Sequence, residues 1–67
     1  MEARNATEKR ILTAMDEKGF PESVQTTVLW ATRKAPDSAE AAREVEALLR
    51  EQPTGKEMTR AVQKYIR

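Results

Sequence analysis

Sixty-seven residues with a net charge of +1 make a single domain, residues 1–67, near the lower size limit for a self-sufficient core. The chain has no cysteine and no histidine, which excludes disulfides, thiolate zinc sites and the commonest general base and metal ligand. The longest apolar run, Val28 to Ala31, is far short of the roughly 20 residues of a membrane helix, and the N-terminus carries no apolar signal segment; a soluble, cytoplasmic protein is expected.

Apolar residues recur at three- and four-residue spacing and never alternate over a strand's length, so the expected fold is all-α: a bundle of four short helices. The first is predicted over 6–18, with Ile11, Leu12 and Met15 on one face. Asn5 and Glu8 stand at capping-box spacing before it, and Gly19 follows as a left-handed stop. The second is predicted over 21–34, with Pro21 in its first turn, Phe20 packing beside the junction, and Val24, Val28 and Ala31 buried.

Within this second helix Leu29 and Trp30 flank the buried stripe, about 100° apart. Neighbouring helices on several sides would bury both. Otherwise one is exposed, and Trp30 becomes an anchor for a partner, since tryptophan is enriched at interface hot spots. The β-branched Thr26, Thr27 and Thr32 are weak helix formers, so packing must hold this helix in place. They also speak against an idealised designed bundle without biological function, which stays as an alternative.

Pro36 ends the second helix, and Asp37 with Glu40 opens a third over 37–51, whose apolar face is Ala41, Ala42, Val45, Leu48 and Leu49. Pro53 stops it. Thr54 with Glu57 then repeats the cap signal for a fourth helix over 54–67, in which Met58, Val62, Tyr65 and Ile66 face the core. Loops this short favour successive helices folding back on one another.

Charge is segregated along the chain. Residues 37–52 carry −3 and residues 53–67 carry +3, the latter from Lys56, Arg60, Lys64 and Arg67 against Glu57. Either this basic stripe meets a partner, or it pairs with the acidic helix before it. Lys64 and Arg67, near the chain end, are expected to stay unpaired once a hairpin of the last two helices closes. Exposed pairs of this kind contribute only about 0–1 kcal/mol each.

Nothing in the chain assembles a catalytic constellation. Asp16 and Glu17 are adjacent and point apart, Glu40 and Glu44 have ordinary ion partners nearby, and two glycines cannot make a phosphate loop. The expectation is a non-enzyme without cofactor, metal or small-molecule substrate. Asn5-Ala6-Thr7 matches a glycosylation sequon but reads as a helix cap.

Ile11, Gly19-Phe20, Ala31-Thr32 and Leu48-Leu49 loosely resemble the ubiquitin-associated domain, whose first loop carries Met-Gly-Phe and whose third helix ends in paired leucines. Lys18 stands in place of that methionine, the stretch before the leucine pair is long and a fourth helix follows, so the family is not adopted. A helix-turn-helix reading rests on 37–51 and 54–67 about the turn Gln52-Pro53, with Lys56, Thr59, Arg60 and Gln63 facing outward. The acidic helix would repel the phosphate backbone it must cross, and a pI of about 8.1 is modest for such a role.

The sequence therefore favours a small helical interaction module docking on another macromolecule. A protein partner or self-association comes first, and a small DNA-binding regulator is the alternative. The candidate contacts are Lys56, Arg60, Lys64, Arg67, Trp30 and Leu29.

Overall fold

The computed structural model describes residues 2–66, and Arg67, one of the candidate contacts, lies outside them. Its helix boundaries follow from local chemistry. α1 (Ala6–Glu17) starts where the Asn5 side chain accepts the Glu8 amide at 2.9 Å. It ends in a Schellman turn: the Phe20 amide bonds the Met15 carbonyl, the Gly19 amide bonds the Asp16 carbonyl, and Gly19 takes φ 76°. The turn feeds Phe20 back onto the core beside Met15.

α2 (Glu22–Lys34) has Pro21 at its N-cap rather than inside its first turn, and the extended Ala35 before Pro36 ends it. α3 (Ser38–Arg50) is capped by Asp37, which accepts the Glu40 amide at 3.0 Å. It closes through Gln52, a non-glycine residue at φ 54°. α4 (Gly55–Val62) opens with a reciprocal capping box, Thr54 taking the Glu57 amide and Glu57 the Thr54 amide. Of the three expected boxes only this one is reciprocal. Asn5 and Asp37 cap from one side, because the carboxylate of Glu8 is engaged elsewhere and Glu40 returns no bond.

Among the described residues these four helices are joined by one 3₁₀ turn, η1 (Gln63–Tyr65), and no strand is present. The final helix thus stops five residues short of the expected 67 and tightens. At three residues per turn the chain rotates Ile66 off the buried stripe, so Ile66 is an exposed side chain and not the core residue expected.

The core is Ile11, Met15, Val28, Ala31, Ala42, Val45, Leu49, Met58 and Val62, with Leu12, Phe20, Val24, Leu48 and Tyr65 half-buried around it. Leu29 joins the interior at 0 % exposure. It lies on the flank of α2 that also carries Thr32 and Arg33 towards α1. Burial at about 25 cal/mol per Å² makes these side chains the main source of stability. The radius of gyration, 10.4 Å, is close to the roughly 11 Å of a compact domain this long.

The helix order in space differs from a simple back-and-forth bundle. α2 is central and touches all the others, α1 lies mainly on α3, and α4 packs chiefly along α2 with only slight contact to α3. A Cβ at Gly55 would come within 3.4 Å of Val24 near the start of α2, whereas Ile66 sits beside Trp30 and Lys34 near its end. α2 and α4 therefore run in the same sense. The expected α3–α4 hairpin does not form as a closely packed unit: α4 lies along α2, with Gly55 beside Val24.

Candidate functional site: an apolar groove between α2 and the chain end

Among the described residues two large apolar side chains are left exposed, Trp30 at 49 % and Ile66 at 43 %. They meet. Together with Thr26, Thr27, Ala31 and Lys34 they line one shallow groove between α2 and the residues after α4. Thr26, Thr27, Trp30 and Lys34 share a face of α2 at helical spacing, so that wall was legible from the sequence. Ile66 was not, because its exposure depends on the tightened η1 turn.

Arg33 lies over the tryptophan ring, with its guanidinium carbon 5.5 Å from the ring centroid, within cation–π range. That guanidinium is itself held. Its Nε donates to Glu8 Oε2 at 3.1 Å, and its Nη2 donates to Glu8 Oε1 at 2.9 Å and to the Glu2 carbonyl at 3.0 Å. Glu8 also accepts the Arg4 amide at 2.7 Å, and its side chain is only 6 % exposed. The Arg33 hydrogen bond, reinforced by the Arg4 amide and both positive charges, outweighs burial and lowers the Glu8 carboxyl from 4.5 to about 2. Arg33 is raised in turn by the same hydrogen bond. A shifted acid in a small protein invites a catalytic reading, but both Glu8 oxygens are filled by donors from its own chain, so this shift belongs to an ion pair that fixes α1 on α2.

The basic stripe divides. Lys64 does not stay unpaired as expected: its Nζ donates to Glu44 Oε1 at 2.7 Å, and the Tyr65 hydroxyl donates to Glu44 Oε2 at 2.6 Å. These bonds lower the Glu44 carboxyl and raise both Lys64 and Tyr65. They are the point at which the basic segment pairs with the acidic helix. Lys56 and Arg60, on the outer face of α4, are exposed and have no carboxylate within ion-pair distance among the described residues. Arg10 completes the ion pairs by reaching Glu46 at 3.1 Å from α1 to α3.

Of the candidate contacts, Trp30, Lys56 and Arg60 are therefore available at the surface, Lys64 is engaged, and Leu29 is interior and cannot meet a partner. Sequence periodicity placed Leu29 at the edge of the buried stripe, whereas in the fold it is fully covered. Among the described residues no group of three or more acidic side chains is arranged to hold a metal, and no helix is long and apolar enough to cross a membrane. No family model, curated protein or solved structure matches this chain.

Proposed function

We propose that this chain is a non-enzymatic interaction module that binds a short apolar-faced helical segment of a partner protein in the groove between Trp30 and Ile66. The observation that carries the reading is the convergence of the two exposed large apolar side chains, from distant parts of the chain, on one groove. A half-exposed tryptophan costs hydration while the domain is alone, and it is the residue type that contributes most when an interface covers it. The described residues offer no strand edge to extend, so the partner is accommodated as a helix laid in a groove.

Titration of Trp30 fluorescence with a helical peptide bearing an apolar face and an uncharged glutamine rim tests this. A saturable blue shift is expected, abolished by Ile66→Asp without loss of the folded state. If no apolar-faced peptide produces a saturable change, the module reading fails. A designed bundle without partners would behave in that way.

The second reading is a small DNA-binding regulator, favoured by the exposed Lys56 and Arg60. It meets three obstacles. α4 is only eight residues long, the Thr59 hydroxyl is turned back to the Gly55 carbonyl at 3.0 Å, and the neighbouring α3 carries the acidic excess. Duplex DNA binding that falls steeply with salt, and is lost on Lys56→Glu with Arg60→Glu, would favour it over peptide docking.

A further inference from the structure

Resting on the groove reading above, we infer that the helical segment it takes is acidic: an apolar side chain seats between Trp30 and Ile66, and carboxylates on the segment's rim meet Lys34. The charges around the groove carry the argument. Among the described residues Lys34 is the one charged side chain lining it; it is exposed, and no carboxylate of those residues engages it within ion-pair distance. Arg33, next to it, is already neutralised by Glu8 and serves as a brace for Trp30. Lys56 and Arg60 of α4 are exposed as well, with no carboxylate within ion-pair distance among the described residues, although the Arg60 charge acts on Glu57 and neither residue lines the groove.

Among the described residues no acidic side chain lines the groove. Glu8, Glu44 and Glu46 are in ion pairs and Asp37 and Glu57 cap helices, while Glu22 lies one turn before Thr26, beyond the end of the groove opposite Lys34. The vacant surface is thus apolar in its floor and positive on its rim, which an acidic amphipathic segment complements and a basic one does not.

Size points the same way. From Thr26 to Lys34, α2 rises about 12 Å, the length of two helical turns, which fits a short segment and not a broad protein face. A second copy of this chain fits less well, because the same groove presented by it offers no acidic side chain among its described lining residues to meet Lys34. Nucleic acid shares the negative charge, but it has no counterpart for the aliphatic Ile66 side of the groove.

The experiment compares three synthetic helical peptides of about 15 residues with one apolar face and rims of glutamate, glutamine or lysine, titrated against the full chain by calorimetry and Trp30 fluorescence. The glutamate-rimmed peptide should bind about tenfold more tightly than the glutamine-rimmed one, and the lysine-rimmed one more weakly than both. Lys34→Glu should reverse that order, and Ile66→Asp should abolish binding of all three. Raising salt from about 50 to about 500 mM should erase the glutamate advantage while leaving the glutamine-rimmed affinity in place.

Equal affinity for the glutamate and glutamine rims would overturn the acidic assignment while leaving the docking reading intact. Failure of all three peptides would overturn both. Salt-sensitive binding of duplex DNA in preference to every peptide would assign the surface to nucleic acid. A concentration-dependent dimer whose formation Ile66→Asp abolishes would assign it to a second copy.

Discussion

Glu8 on α1 grips Arg33 on α2 with a two-pronged hydrogen bond, 2.9 Å at one carboxylate oxygen and 3.1 Å at the other. The pair links the N-terminal cap of one helix to the brace beneath the exposed tryptophan. It also sets how the fold responds to acid. The folded-state pKa of Glu8, about 2, lies below its ordinary value of 4.5, so the pair's contribution is complete above about pH 4.5 and drains away as pH falls towards 2. Glu44 and Glu57 are lowered too and add in the same direction. Denaturant midpoints should therefore stay level from about pH 7 to 5 and then fall steadily. A midpoint that holds at pH 3 would contradict this assignment.

Replacing Glu8 with glutamine removes the charge and leaves Arg33 without its counter-ion. Melting followed by circular dichroism should show a midpoint lower by about 5–10 °C at neutral pH, and a visibly flatter decline below pH 4.5. The flattening separates loss of this carboxylate from a general weakening of the fold. Because Arg33 then loses its anchor under Trp30, the tryptophan emission of Glu8→Gln should also shift while the protein is still folded.

Neighbouring residues in α2 should behave oppositely on truncation. Leu29→Ala opens a void at a fully buried position and should lower the unfolding free energy by about 2–5 kcal/mol, a large part of what a domain of this size has. Trp30→Ala removes a half-exposed ring and its contact with Arg33, and should change stability by less than about 1 kcal/mol. Urea unfolding of the two variants decides the matter. If Trp30→Ala proves as damaging as Leu29→Ala, the tryptophan is a structural residue and the groove loses its anchor.

The ends of α1 and α3 form a second matched pair. Gly19 and Gln52 both adopt positive φ, 76° and 54°, but only the first is a glycine. Gln52→Gly should raise stability by about 0.5–1 kcal/mol, and Gly19→Ala should lower it by about 1–2 kcal/mol even though its Cβ would meet nothing within 4 Å. Pro53 sharpens the contrast. Having no amide proton, it cannot close the second bond of the turn that the Phe20 amide completes at the end of α1.

Tyr65 is the sole tyrosine, which makes its ionisation visible in ultraviolet absorbance without interference. Its hydrogen bond to Glu44 raises its pKa above the usual 10, so the stabilisation is present below pH 10 and is lost as pH climbs through the raised value. Glu44→Gln should move the titration midpoint back down towards 10 with little change in thermal stability, because the bonds are exposed. An unmoved midpoint would mean that Tyr65 and Glu44 are not joined in solution.

Helix boundaries were the most legible part of this molecule, because Asn5, Gly19, Pro36, Asp37, Pro53 and Thr54 act through backbone geometry and hydrogen bonds within a few residues. Nearly all the buried positions were legible for the same reason, since periodicity marks a stripe on each helix. The width of a stripe and the identity of its neighbour are not local properties. Leu29 proves fully interior, α4 lies along α2 and not along α3, and Ile66 emerges where the last turn tightens. Charge segregation suggested contact between the acidic and basic segments, and among the described residues Lys64 and Tyr65 make it through Glu44. The side-chain reach that decides such pairings depends on the packing angle, which composition does not encode.

The core has one further property. Two of its largest fully buried side chains, Met15 and Met58, are thioethers from opposite ends of the chain, both at 0 % exposure. A sulfur there is shielded from peroxide while the helices stay together, and its conversion to the sulfoxide would place a polar group among Ile11, Val28 and Val62. Each brief opening of the bundle is thus a chance of oxidation, and until the sulfoxide is reduced again the helices would close on a core with a polar group in it.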